Sequence, residues 1–71
     1  MALPSWEKVQ PLVEQAYSLK GRVERADCVD LAFATNAADE VVDALDAIGS
    51  RVLSNPQAVR DFLTKQGYIA P

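Results

Sequence analysis

The sequence predicts a mostly α-helical single domain over residues 1–71, a small bundle of four helices with two short extended segments that can pair as a minimal β-ribbon. Three observations support this fold class. Apolar residues recur every three or four positions, glycine, proline and capping residues divide the chain into short segments, and the composition is that of an ordinary globular protein, 49% hydrophobic and 24% charged. We expect a thin core and a net stability of about 3–5 kcal/mol.

The first helix is predicted to run from Ser5, its candidate N-cap, to Leu19. Pro11 lies inside this segment and removes a backbone hydrogen bond, so the helix either kinks there or begins only near Gln10. Gly21 supplies the C-terminal stop. The apolar stripe predicted to face the core consists of Trp6, Val9, Val13, Ala16 and Tyr17.

A short extended piece, Arg22 to Ala26, precedes a second helix, Cys28 to about Thr35, for which Asp27 is the candidate N-cap. This helix is apolar on every side, which predicts burial on more than one face and a place in the middle of the bundle. The residues that support this expectation are Val29, Leu31, Ala32 and Phe33.

The third helix has the clearest pattern, from Ala37 to Ile48, with Asn36 as its predicted N-cap and Gly49 as its end. Its predicted core stripe consists of Ala38, Val41, Val42, Leu45 and Ile48. The rest of its surface carries Asp39, Glu40, Asp43 and Asp46. We expect the aliphatic edge to turn inward and the acidic side chains to form a ridge that faces water.

A second extended piece, Arg51 to Leu53, precedes the fourth helix. Ser54 and Gln57 have the spacing of a capping box, which predicts that this helix begins there and continues to Gln66 before a glycine stop. Residues 68–69 then either fold back on the core or form a loose tail. Because each extended piece leads into a capped helix, the two can pair as a ribbon that helices cover on one face.

Two stretches resemble a short bacterial domain family of unknown function. Residues 38–45 read Ala-Asp-Glu-Val-Val-Asp-Ala-Leu, and residues 54–59 read Ser-Asn-Pro-Gln-Ala-Val. The family is similar in having an Ala-Asp-Glu-x-Val helix start and then a Ser-x-Pro-x-x-Val helix cap. The resemblance covers about Val23 to Leu63 and departs at residues 48–50, where such sequences usually carry Leu-Pro-Asp. It implies the fold and no catalytic residue.

Charge and hydropathy argue against two classes of partner. Ten acidic and seven basic residues give a net charge of −3, which disfavours nucleic acid, because Lys and Arg supply most of the affinity for phosphates. The second and third helices have helix-turn-helix spacing, so a nucleic-acid-associated regulator is the alternative function, although the third helix has four acids and no base. No apolar stretch is long enough for a membrane span, and we expect a cytoplasmic protein without a membrane partner.

The usual catalytic and metal-binding sets are missing from the sequence. Cys28 is the single cysteine, and the chain has no histidine to activate it, so we expect a buried structural thiol rather than a nucleophile. A position at a helix N-terminus would lower the pKa of that thiol. Asp39 and Asp43 share one helical face, but one face offers too few oxygens for Ca²⁺. We therefore predict neither enzyme activity nor a bound cofactor or metal.

The function that the sequence favours is a non-enzymatic protein-interaction module of unknown pathway. Three aspartates of the third helix are the candidate docking residues for a basic surface on an unidentified protein partner, namely Asp39, Asp43 and Asp46. Trp6 and Tyr68 lie near the termini, where core positions are few, and are candidates for an exposed patch or a homodimer contact. Phe33 and Phe62 are predicted to lie in the core.

Overall fold

The computed structural model describes residues 3–70, which form four α-helices and two short strands. In chain order these are helix α1 (Trp6–Lys20), strand β1 (Val23–Glu24), helix α2 (Arg25–Ala34), helix α3 (Asp39–Asp46), strand β2 (Val52–Leu53) and helix α4 (Pro56–Gln66). The two strands pair antiparallel, with Val23 opposite Leu53. The predicted fold class, element order and β-ribbon are confirmed.

One apolar core joins all four helices to β1 and to the C-terminal segment. Its residues are each at most 6% exposed: Val9, Leu12, Val13, Ala16, Val23, Cys28, Ala32, Val41, Ala44, Leu45, Ile48, Val59, Leu63 and Ile69. Ile69 folds back into the core, and the backbone N–H of Ala70 donates to the carbonyl of Pro4 at 2.9 Å. The two ends of the described chain therefore lie side by side.

Helix α1 continues through Pro11, so a start near Gln10 is wrong. Buried residues on both sides of the proline, Val9 and Val13, hold the two parts of the helix against the same core. Its buried face includes Leu12, whereas Tyr17, a predicted member of the stripe, is 39% exposed. Ser5 occupies the N-cap position without a side-chain capping bond, and Gly21 ends the helix in the left-handed conformation.

Helix α2 begins at Arg25, earlier than its predicted start, because Glu24 and not Asp27 occupies the N-cap position. The carboxylate of Asp27 instead lies in the first turn and pairs with Lys20 of α1 at 3.0 Å. The prediction that α2 is buried on more than one side is wrong for Phe33, whose side chain is 69% exposed. Residues advance by about 100° each around a helix, so Phe33 points about 140° away from buried Cys28.

Asn36 ends α2 rather than capping α3. Its backbone is left-handed, with φ 57°, and its N–H donates to the carbonyl of Phe33 at 3.2 Å, while the N–H of Ala37 donates to Ala32 at 2.9 Å. These two bonds form a Schellman motif. Ala38 takes the N-cap position of α3, which spans Asp39–Asp46 before a turn at residues 47–50. The helix is thus shorter than predicted.

The predicted capping box of α4 is also wrong. Asn55 is the N-cap, and its side-chain oxygen accepts a hydrogen bond from the N–H of Ala58 at 2.8 Å. The amide of Gln57 donates to Asp61 at 2.9 Å instead of reaching back to Ser54. The predicted end of the helix before a left-handed glycine is confirmed.

Replacement of the N-cap of α4 tests this assignment. We expect Asn55→Ala to lower the free energy of unfolding by about 1 kcal/mol, because the N–H of Ala58 loses its acceptor. Ser54→Ala is the matched control and should change the value by less than about 0.5 kcal/mol. Urea denaturation followed by far-UV circular dichroism measures both variants. A larger loss for Ser54→Ala than for Asn55→Ala would contradict this assignment and support the capping box between Ser54 and Gln57.

Candidate protein-binding surface

Helix α3 presents an aliphatic edge to the core and an acidic ridge to water. Val41, Ala44 and Leu45 are buried, as is Ile48 in the following turn. Three aspartates are exposed on the other side, namely Asp39, Asp43 and Asp46. Glu40 lies at the border and is half-buried. This is the orientation that the spacing of apolar residues in α3 predicts, because the two sets occupy opposite sides of a helix with 3.6 residues per turn.

The three exposed aspartates differ in their electrostatic surroundings. Asp46 pairs with Arg25 of α2, with 3.0 Å between the guanidinium Nη1 and the carboxylate Oδ1. Asp39 and Asp43 form no ion pair within residues 3–70. The unpaired carboxylates therefore lie one helical turn apart on α3, and Asp46 is already neutralised by its neighbour. Of the predicted docking residues, only Asp39 and Asp43 offer free negative charge.

The Arg25–Asp46 pair also shows how α2 and α3 lie relative to each other. Arg25 begins α2 and Asp46 ends α3, so a contact between them makes the two packed helices antiparallel. The C-terminal end of α2, which carries Phe33, therefore lies beside the N-terminal end of α3, which begins at Asp39.

Phe33 is an exposed aromatic residue at the end of α2 that lies beside the start of α3. Asp30 precedes it by three positions on α2, is exposed and has no ion-pair partner in the described part of the chain. Residues three apart are neighbours on a helix surface. We call the surface formed by Asp30, Phe33, Asp39 and Asp43 the α2–α3 face. The sequence predicts Phe33 to lie in the core, because α2 carries apolar residues on every side, and it does not single out Asp30.

Trp6 and Tyr68, the other predicted binding residues, belong to α1 and to the segment after α4, not to α2 or α3. Trp6 is half-buried and lines a groove of about 470 Å³ between α1, α4 and the C-terminal segment. The other residues that line it are Ser5, Glu7, Gln10, Arg60 and Ala70. Tyr68 is 44% exposed and does not line this groove. The structure therefore does not gather the five predicted residues into one site.

Cys28 is buried in the core, where burial, and secondarily the negative charge of Asp27, raises the pKa of its thiol to about 11. The expectation that a helix N-terminus lowers this pKa is wrong, because α2 begins at Arg25 and the thiol faces the core. A thiol with this pKa is protonated at pH 7 and is a poor nucleophile. Among residues 3–70, no group of three or more Cys, Asp or Glu side chains is placed to hold a metal ion.

Comparison with known proteins finds no match to this chain: no protein-family model matches it, and no curated protein or solved structure does so at a significant level. The resemblance to the short bacterial domain family over Val23 to Leu63 therefore stays a prediction. In the part of the chain that the structure covers, the helices are too short or too polar to cross a membrane.

The burial of Cys28 predicts a specific pH dependence of stability. The folded thiol ionises near pH 11 and an unfolded thiol near its ordinary value of 9, so ionisation stabilises the unfolded chain as the pH rises above 9. We expect the free energy of unfolding of the wild type to fall by roughly 2 kcal/mol more between pH 8 and pH 11 than that of Cys28→Ala. Urea denaturation across this range measures the difference. If the free energy of unfolding has the same pH dependence in the wild type and in Cys28→Ala, the raised pKa of the buried Cys28 thiol is contradicted.

Proposed function

We propose that this chain is a non-enzymatic protein-interaction module in which the exposed face of α3 docks a basic surface of another protein. The observation that carries the proposal is that Asp39 and Asp43, one turn apart on a helix whose opposite edge is buried, are exposed and form no ion pair with any described residue. Complementary potentials steer association and select partners of opposite charge. The net charge of −3 adds a weak attraction of the whole chain to a positively charged partner.

The packing of α3 supports this role. Leu45 and Ile48 are fully buried and fix the rotation of the helix, so Asp39 and Asp43 are presented in a set geometry before a partner arrives. A preorganised surface loses less conformational entropy on binding than a mobile one. We place the module in the cytoplasm, where a free thiol such as Cys28 stays reduced.

Two other functions have less support. A homodimer through α3 would bring Asp39 and Asp43 towards the same residues of a second copy, because a two-fold interface places one patch against itself, and like charges repel. For a homodimer, Trp6 and Tyr68 are the candidate contacts that remain. For a helix-turn-helix regulator, α3 would enter a groove lined with phosphates while carrying four acids and no base, which is repulsive.

Charge reversal tests the proposed docking surface. The double variant Asp39→Lys/Asp43→Lys changes the net charge from −3 to +1, and so does the control Glu14→Lys/Asp61→Lys on α1 and α4. Asp46 is left in place, because a lysine there would face Arg25. We expect the immobilised α3 variant to retain at least tenfold less of the partner protein captured from the native cell, and the control to retain it.

Circular dichroism spectra matching the wild type show that both variants are folded. Equal retention by the wild type and the α3 variant would overturn the proposal. Equal loss from both double variants would also overturn it, since the effect would then follow net charge and not the position of the aspartates.

A further inference from the structure

We infer that the partner of the α2–α3 face is a cationic amphipathic helix, whose apolar side covers Phe33 and whose Lys or Arg side chains pair with Asp30, Asp39 and Asp43. This inference rests on the proposed function and names the chemistry of its partner. It starts from Phe33, because an aromatic side chain that is 69% exposed leaves a large apolar surface in water.

Carboxylates lie on both helices of the hairpin that carries Phe33. Asp30 precedes Phe33 by three positions on α2, and Asp39 and Asp43 lie on α3, whose start lies beside the end of α2 that carries Phe33. None of these three carboxylates is in an ion pair within the described residues. The surface therefore combines one apolar centre with a negatively charged border, the usual division between the centre and the rim of a protein interface.

This combination selects one kind of partner. A second copy of the chain docked through the same face, an acidic peptide or a nucleic acid would bring negative charge against Asp39 and Asp43. An uncharged apolar surface would cover Phe33 but would remove water from the neighbouring carboxylates without supplying a counter-charge. A partner that covers Phe33 and also pairs with the carboxylates must present apolar and cationic groups together.

A helix meets this requirement with the correct spacing. Side chains three or four positions apart lie about 5–6 Å from each other on a helix surface, so Lys or Arg can stand on either side of an apolar residue. Amphipathic helices of this kind bind across the faces and grooves of helical proteins through apolar anchors at such positions.

The probe for this inference is a fluorescently labelled 18-residue peptide of leucine and lysine with all leucines on one helical face. A peptide of the same composition, reordered so that the leucines are spread around the helix, is its control. Fluorescence anisotropy measures the Kd of each peptide for the full chain. We expect the amphipathic peptide to bind at least tenfold more tightly than the reordered one.

Variants of the chain locate the binding surface. Phe33→Ala is expected to raise the Kd of the amphipathic peptide at least tenfold, and Asp30→Asn/Asp39→Asn/Asp43→Asn to raise it by a similar factor. Leu19→Ala is the matched control for Phe33, because Leu19 on α1 is 68% exposed. Glu7→Gln/Glu14→Gln/Asp61→Asn is the matched control for charge. Both controls should change the Kd less than twofold, and all four variants should remain folded, because the replaced side chains are exposed.

The outcomes separate this inference from the proposed function. If Asp39→Lys/Asp43→Lys loses the native partner while Phe33→Ala binds the peptide and the native partner like the wild type, the inference is overturned and the proposed function stands. Equal binding of the two peptides, or no binding of either, overturns the inference. Loss of peptide binding in Leu19→Ala as large as in Phe33→Ala overturns it as well, because the α2–α3 face would then not be the site.

Discussion

Burial of the aliphatic edge of α3 is the interaction on which the rest of the structure depends. Leu45 and Ile48 are fully buried and are among the largest fully buried side chains of the core. Because a helix is rigid about its axis, fixing this edge also fixes the opposite one, and Asp39 and Asp43 face water as a consequence. The candidate docking surface is thus determined by the same packing that stabilises the domain.

The short connection between α2 and α3 brings the parts of that surface together. Asn36 turns the chain in a left-handed conformation, and its neighbour Ala37 is held by a backbone bond to Ala32. At the far end, Arg25 and Asp46 pair across the two helices, an exposed contact worth at most about 1 kcal/mol. The turn at one end and the ion pair at the other define an antiparallel hairpin, and Phe33 lies at the turn end of it.

Local sequence patterns predicted most of the fold but not the surface. The inward edge of α3 at Val41 and Leu45 and the glycine stops of α1 and α4 follow from spacing and backbone conformation alone. Ala38, also predicted to face the core, is instead the exposed N-cap of α3, and α3 ends before Gly49. The caps did not follow, because Ser54 and Asn55 have similar intrinsic preferences and tertiary packing decides between them. The exposure of Phe33 did not follow either, since α2 carries apolar residues on all sides and only the positions of α1 and α3 determine which side is buried. The sequence therefore predicted that Asp39 and Asp43 are exposed on α3 but not that Phe33 is exposed on α2.

The free energies of unfolding of Leu45→Ala and Asp43→Asn test most directly which edge of α3 faces the core. We expect urea denaturation to show a loss of at least about 2 kcal/mol for Leu45→Ala, because a fully buried side chain is truncated in a packed core. Asp43→Asn, at an exposed position, should change the value by less than about 0.5 kcal/mol. An unchanged value for Leu45→Ala together with a loss above about 1 kcal/mol for Asp43→Asn would place the acidic edge inside and contradict the account.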